Sequence, residues 1–566
     1  MLLQKLVEYS ARLEEIAPPG YSKKPVRYLI ELDSAGKLRN PHPIDLSDKE
    51  NKRGKSFAVP HTVRSSGVKP LLLADNAEYT LGLTRDGSKP EQVKQRHDAY
   101  VALVAECAEK TDDNAVTAIL HFLQGAAATE LIIADDFDPK ETILFRVDAE
   151  LPTNRQTVQN FWNARTAPSG DTMQCLICGQ QRITLQILNG KINGIPGGQA
   201  GGLAMISANK DAFGSYGLQQ SQVAPVCEDC ADRFTKSLNH LLGGRRTRMI
   251  FNNLAFTFWT REHVADFDLF TAMDNPTTDS IHNLLAATYN GKWQPGVDDV
   301  AFYAVALSAS GARAVVRDWI DTTVGNVKQS LARWFRWQQI VDAWGAQANP
   351  LGIYRLAAAT VREMKDLPIQ TPHALLHAAL YGTPLPSNLL QQALRRNAVE
   401  HTVTYPRAAL IKLILTSQSI IEENAMVQLQ TERTEAAYHC GRLLAVLEQI
   451  QQAALGRNVN TTIVDRFYGT ASTAPATVFG TLLGQAQPHL SKLRRSNREN
   501  VAYALQSRLE EVLLRLPNFP RTLTLQDQAL FALGYYHQRA HDHAQAAAHA
   551  NAKKNANPAN ATTANS

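Results

Sequence analysis

The residues best suited to chemistry in this chain are two cysteine pairs. Cys175-Leu-Ile-Cys178 and Cys227-Glu-Asp-Cys230 stand well apart, with a long segment between them. Each pair can turn both thiolates toward one ion, and four thiolates complete a tetrahedral zinc site. Four sulfur ligands leave no open coordination position, so the zinc expected here is structural. The other reading is four unrelated reduced thiols. Cys107 and Cys440 sit in helical, apolar company and read as core residues. Six cysteines in 566 residues make no disulfide framework. The chain has no HExxH, GxSxG or Walker sequence and no clustered acidic triad, so no enzyme is expected.

Two further stretches suit an anionic ligand. Arg64-Ser65-Ser66-Gly67-Val68-Lys69 is a small-residue turn with a cation on each side. Backbone N–H groups, hydroxyls and a cation can meet a phosphate or a base edge together there. A plain surface turn has the same composition. Between the cysteine pairs, six glycines fall within 190–202, with Gln199, Ser207 and Asn209 nearby. No Gly-Lys-Ser/Thr follows, and the strand–turn–helix frame of a dinucleotide site is missing. Such a loop either approaches a nucleic-acid groove or serves as a flexible connection inside a metal-tied lobe.

The elements that must position these residues imply an α+β, multidomain protein. Its length suits two to four domains, and 44% hydrophobic with 20% charged residues is a globular composition. A mixed α/β region is expected over 1–350, with a zinc-tied lobe at about 170–245. A helical connector follows over 351–425, then an all-helical C-terminal bundle over 426–545. The Ala/Asn-rich tail, 546–566, reads as disordered. Within this scheme MLLQKLVEYSARLEEI, 91–123 and 327–341 read as helices. VRYLIELD, ETILFRVDAEL and LAFTFWTRE read as strands. Residues 298–320 read as a strand turning into a helix, with Arg313 and Arg317 one helical turn apart. His537, His541 and His543 read as solvated.

Charge is uneven. Residues 1–70 carry 13 basic and 8 acidic side chains, and the chain from Met426 carries 14 and 9. Each end thus has a surplus of five, and the net charge of +5 leaves about −5 for the middle. Two basic ends suggest polyanion contact, although solvated surface has the same signature. In the C-terminal part, Leu443, Leu447 and Ile450 mark one helix face. Leu490 and Leu493 read as the start of another helix beside Lys492, Arg494, Arg495 and Arg498. No run approaches 18 apolar residues, so a cytoplasmic protein with no membrane association is expected.

Several blocks resemble the Csd-one family, the large subunit of the type I-C CRISPR interference complex (Cascade). They are MLLQKLVEYSARL with PPGYSKK, VPHTVRSSGVKPLLLADNAEYTLG, GGQAGGLAMISANKDAFGSYGLQQSQVAPVCEDCA, LAFTFWT, ALSASGARAVVRDW, YHCGRLLAVLEQIQQAAL, TTIVDRFYGTASTAPATVFGTLL and HLSKL. They occur in the family's order and cover most of 1–540. The resemblance implies a subunit that reads a short protospacer-adjacent motif on duplex DNA and helps open the duplex into an R-loop. It also implies presentation of the displaced strand to a separate helicase-nuclease. The implied partners are the crRNA, target double-stranded DNA and its displaced strand, a repeated backbone subunit, a crRNA-handle-binding subunit and a small subunit. Arg64, Ser65, Ser66, Gly67 and Lys69 with Asn76 then become DNA-binding candidates, as do Gly198, Gln199, Ser207 and Asn209. Lys492, Arg494, Arg495 and Arg498 would line the path of the displaced strand, unless they are only a solvated helix face. The family also implies an internal translation start yielding the small subunit. Met426 fits, and its product would run from there to Ser566, long enough for a helical bundle.

The chain departs from the family in two places. Relatives often carry Asn and an aromatic residue after the proline of the second block, where this chain has Pro70-Leu71-Leu72-Leu73. The Cys227–Cys230 pair also differs from many relatives, so the zinc rests on spacing. Two other classes stay open, a free-standing zinc-containing DNA-binding regulator and a zinc-assisted nuclease.

Overall fold

The structure, a computed structural model, describes residues 1–13, 17–48, 52–62, 64, 67–167, 170–188, 190–264, 273–274, 276–277, 297–456, 461–496 and 498–556. The chain forms two compact units, one of residues 1–191 with 204–238 and one of 192–203 with 239–566. Both helices and sheets are present, and the C-terminal part is helical.

The first unit is built on a four-stranded sheet in the order β3-β2-β6-β5. Its strands are β2 (Tyr28–Leu32), β3 (Ile44–Asp45), β5 (Ala74–Asn76) and β6 (Thr142–Val147). β2 and β6 run parallel, with Ile30 opposite Phe145. Side chains alternate across a strand, so Tyr28, Ile30 and Leu32 share a face with Ile143 and Phe145. That face packs on Val104 and Cys107 of α3 (Pro90–Thr111) and Ile119 and Phe122 of α4 (Asn114–Gln124). Leu29 and Leu144 point the other way and pack on Val26 and Val59. Those two residues belong to the antiparallel ribbon of β1 (Tyr21–Val26) and β4 (Lys55–Pro60). The ribbon carries the chain into the turn at Arg64, and β5 receives it on the far side. The segment from Arg64 to Lys69 therefore lies between the buried end of β4 and β5.

The second unit has an antiparallel sheet in the order β12-β11-β10-β9. Its strands are β9 (Arg248–Phe251), β10 (Leu254–Thr260), β11 (Ala301–Ser310) and β12 (Arg313–Thr323). The helix expected after residue 310 is instead β12. Gly311 sits at φ +57 in the two-residue turn between Ser310 and Arg313, a hairpin signal. Val315, Val316, Trp319 and Ile320 are strand-forming residues, and Arg313 and Arg317 lie along a strand rather than one helical turn apart. Phe256, Phe258, Phe302, Ala304 and Ile320 face Val327, Leu331 and Trp334 of α7 (Val324–Trp337).

From Ile353 onward the described secondary structure is helical. One apolar cluster runs through the sheet, through the residues expected as connector, and through the bundle as far as Tyr536. The expected boundaries at 350 and 425 therefore fall inside a continuous core. The bundle is centred on α12 (Ala436–Leu455) and α16 (Leu525–Ala556), packed with α13 (Ile463–Ala471), α14 (Phe479–Arg495) and α15 (Glu499–Leu514). Leu490 and Leu493 lie near the end of α14 rather than the start of a helix. α16 runs past the expected beginning of the tail at 546, and the expectation for 557–566 lies outside the described residues.

Candidate functional site: a cysteine cluster and three cationic or polar surfaces

The four cysteines come together. Their sulfur atoms all lie within 4.8 Å of one another. A tetrahedral site with Zn–S distances of about 2.3 Å places its sulfurs roughly 3.8 Å apart, so the cluster fits such an ion with small adjustments. Local structure explains the convergence. Cys175 and Cys178 form the turn between β7 (Thr172–Gln174) and β8 (Gln181–Ile183), closed by Gly179 N–H donating to Cys175 O at 2.9 Å. Cys227 and Cys230 open α6 (Glu228–Gly243). Backbone bonds from Leu176 to Pro225 O at 2.9 Å and from Leu185 to Val226 O at 3.2 Å clamp the two pieces together. Cys178 is exposed and the other three are buried. Burial opposes ionisation of Cys175, but N–H groups including that of Cys227, 3.4 Å from the sulfur, bring it down to about 7. Burial and the neighbouring thiols push Cys230 well up. Four thiols at this spacing cannot all ionise without a cation, and a divalent ion supplies that charge.

The turn after β4 is held by Arg64, and this changes that residue's role. Its guanidinium grips both carboxylate oxygens of Asp75, donates to Lys69 O at 2.8 Å, and lies over the Tyr79 ring at 4.4 Å. The Asp75 side chain is 3% exposed. It also accepts from Leu71 N–H at 2.9 Å and Asn76 N–H at 2.8 Å. Burial pushes its carboxyl up, and Arg64 opposes that. Arg64 is thus an internal brace rather than a residue held out for a ligand. Gly67 takes φ +77, a conformation that favours glycine. Lys69 is exposed on the turn. Asn76 occupies the N-cap position of the short helix Ala77–Thr80 without a side-chain capping bond, and its Oδ1 is buried and lacks a hydrogen-bond partner. Ser65 and Ser66 lie outside the described residues. Leu71, Leu72 and Leu73 are buried, so the positions after Pro70 serve the core.

Sequence reasoning missed two cations here. His61 is pushed down to about 4, first by burial and then by Lys24, Lys236 and Arg64. Lys24 on β1 is itself lowered, by burial and then by Arg64. Lys236 is tied down by Ala17 O at 2.9 Å and Asp232 at 2.6 Å. Lys24 comes from a strand far earlier in the chain than Arg64, so no local spacing announces it.

The glycine-rich segment divides between the units. Residues 192–203 form a hairpin, closed by mutual bonds of 2.8 Å between Ile192 and Leu203, with Gly198 and Gln199 exposed near its tip. Gly197 and Gly202 have φ +71 and +83, so part of the glycine content answers to turn geometry. Ser207 and Asn209 belong to the other unit. There they line a polar cleft of about 560 Å³ with Lys191, Lys210, Tyr216 and Gln220.

Lys492, Arg494, Arg495 and Arg498 are exposed where α14 ends and α15 begins. Lys492, Arg494 and Arg495 lie in the last turn of α14, where cations are favourable against the helix dipole, so these three also have a structural reason to be there; Arg498 is the N-cap of α15 and has no such reason. Arg494 donates to Gln506, and Arg498 to Ala453 O at 2.8 Å. Met426 is fully buried. His537 is not solvated but fully buried on α16, 3.0 Å from the Tyr438 hydroxyl, and burial pushes it down to about 3. Cys107 and Cys440 are core residues as expected.

Residues 6–542 match the family model of the CRISPR-associated protein Cas_Csd1. The match covers nearly the whole chain, and the protein belongs to this family. No curated protein matches it. Among the described residues, no helix is long and apolar enough to cross a membrane.

Proposed function

We propose that the chain is the large subunit of a crRNA-guided type I-C surveillance complex. In this reading it recognises the protospacer-adjacent motif on duplex DNA and helps open the duplex into an R-loop. It then supports recruitment of the helicase-nuclease and catalyses no step itself. The observation that carries the reading is the family match over 6–542, joined to a cation-bordered turn braced by the half-buried Arg64 on the buried Asp75. A brace matters because base-edge reading needs side chains held on a rigid element. Arg64 sets the turn through Asp75, Lys69 meets a phosphate, and Asn76 is the base-edge candidate. Gly198 and Gln199 at their hairpin tip, and Ser207 and Asn209 in the cleft, are secondary contacts. Lys492, Arg494, Arg495 and Arg498 guide the displaced strand. Zinc in the cysteine cluster holds β7, β8 and α6 together. An internal start at Met426 yields the small subunit. The other partners are the crRNA, the repeated backbone subunit and the crRNA-handle-binding subunit, in the cytoplasm.

Salt dependence tests the phosphate contact. The crRNA-loaded complex is reconstituted with wild-type chain or with Lys69→Ala, and target binding is measured across ionic strength. Loss of one phosphate contact lowers the slope of log affinity against log salt by about 1. An unchanged slope and affinity would remove Lys69 from the interface.

A further inference from the structure

A second cluster lies in the other compact unit, on residues the proposed function does not use. Asp318 on β12 faces His373 and His377 on α9 (Gln370–Tyr381). The three ligand atoms lie within 4.8 Å of one another. His377 Nδ1 is 2.7 Å and His373 Nε2 is 3.2 Å from the same atom, Asp318 Oδ2. Ligands at about 2.1 Å from one ion stand roughly 3.0 to 3.4 Å apart in octahedral or tetrahedral geometry. The 3.2 Å separation matches that edge length, and the 2.7 Å one is a hydrogen bond that an entering ion would replace and lengthen.

The fold prepares this convergence. His373 and His377 are four residues apart, so they stack on one helix face. Tyr381 continues the stripe, and its ring stacks on His377 with centroids 5.0 Å apart, limiting the imidazole's rotation. On the strand side, Ala306 pairs with Asp318 but Leu307 with Val316, so Arg317 is the extra residue of a bulge. Bulges re-aim the neighbouring side chain. Trp319 N–H donates to Asp318 Oδ1 at 2.9 Å, which fixes the carboxylate and leaves Oδ2 for the histidines. An outer hydrogen bond of this kind orients a metal ligand. His373 Nε2 is buried and, although 3.2 Å from that oxygen, is not aligned to make a well-formed hydrogen bond with it. An ion between the three atoms would satisfy it.

We infer that Asp318, His373 and His377 form a metal site for a divalent transition ion of the zinc, cobalt or nickel type. Two imidazoles and one carboxylate are borderline ligands that suit these ions better than Mg²⁺ or Ca²⁺. The side chains of both histidines are 34% exposed, and that of Asp318 is 16% exposed. Solvent therefore reaches the site, and water or another oxygen ligand completes the coordination. The bound ion staples edge strand β12 to α9. It is chemically distinct from the four-thiolate centre, which is closed and coordinates through sulfur alone.

Cobalt(II) separates the two centres. Untagged full-length chain is stripped of metal under reducing conditions and titrated with Co²⁺, with bound metal counted by elemental analysis. Thiolate coordination gives an intense sulfur-to-cobalt charge-transfer band, and nitrogen and oxygen ligands do not. The expected result is two equivalents bound, only one of them building the charge-transfer band. His373→Gln with His377→Gln then loses one equivalent and keeps that band unchanged. Asp318→Asn weakens the same equivalent at least tenfold. The inference fails if wild type binds only the equivalent that gives the thiolate band. It also fails if the double histidine variant retains both equivalents, or if wild type binds no cobalt.

Discussion

The crossing of α12 and α16 sets a sharp test of the bundle that carries the C-terminal cations. Two glycines face each other's backbone there. A Cβ on Gly441 would fall 2.0 Å from Phe531 O and 2.8 Å from Tyr535 N, and a Cβ on Gly534 would fall 2.0 Å from Tyr438 O. Neither obstacle is a flexible side chain, so the helices must part by about 1 Å or more to reach ordinary contact distance. Overpacking of this kind costs about 1 to 3 kcal/mol, and the gain in helix propensity from Gly to Ala returns only about 0.5 to 1. Gly441→Ala and Gly534→Ala are each expected to destabilise by about 1 to 2 kcal/mol net. Once the helices have separated, the second methyl meets less resistance. The double variant should therefore lose less than the sum of the singles, by on the order of 1 kcal/mol. Gly484→Ala is the control. It lies inside α14 with nothing within 4 Å of the added methyl, so a gain of about 0.5 to 1 kcal/mol is expected. Chemical denaturation followed by near-UV circular dichroism reads all four proteins. If Gly441→Ala and Gly534→Ala match the control, the close crossing is wrong.

Four further outcomes follow from particular residues. Arg64→Ala strands a buried carboxylate and should cost about 3 to 5 kcal/mol, and Arg64→Ala with Asp75→Asn should recover part of that in thermal unfolding. Replacing Cys175 or Cys230 with Ser should abolish binding of one zinc equivalent and expose residues 170–190 to limited proteolysis; zinc retained by both variants removes the site. Lys412 is fully buried, bonded to Trp337 O at 3.1 Å, and burial lowers it to about 8 from 10.5. Below pH 8 both states are protonated and the folded state bears the buried charge. Between about 8 and 10.5 the unfolded chain binds the extra proton, so stability rises with pH by about 3 kcal/mol. Lys412→Met should lack that rise, and parallel pH profiles of the two proteins would contradict it. Finally, a fragment from Met426 to Ser566 should be helical by circular dichroism yet bind hydrophobic dyes more than the full chain. The reason is that α16 also packs on α10 (Ser387–Glu400) and α11 (Tyr405–Ser417). Equal dye binding would show that the core does not continue across residue 425.

What the sequence disclosed depended on how local the signal was. The CxxC pairs are self-announcing, because each places two sulfurs in one turn. Their union across the long intervening segment needed the bonds from Leu176 and Leu185 to the second pair. Apolar periods revealed α7 and α12, and 91–123 read as one helical stretch, which Asp112 at φ +49 and the N-cap Asp113 divide into α3 and α4. The second half of 298–320 reads as helix because its two arginines four residues apart mimic a helical face, while the turn glycine and valines belong to a hairpin. His537 was hidden by its neighbours. The Ala/His/Gln composition of the tail starts within the same helix, but burial is decided by Tyr438 from another. Arg64 looked like a ligand for an anion, and only the fold reveals Asp75 beneath it. His373 and His377 had legible spacing, whereas Asp318 reaches them through a bulge that no sequence period predicts.

The most direct measurement concerns motif reading. The complex is reconstituted with its crRNA and offered duplexes that carry a fixed matching target beside a randomised flank. Wild-type chain is compared with Lys69→Ala and Asn76→Ala, and the bound flanks are sequenced. The account predicts that wild type selects a short flank, that Asn76→Ala loses the selection, and that Lys69→Ala weakens binding across all flanks. Intact selection in Asn76→Ala would move the reader elsewhere, and no selection by wild type would contradict the motif-reading role itself.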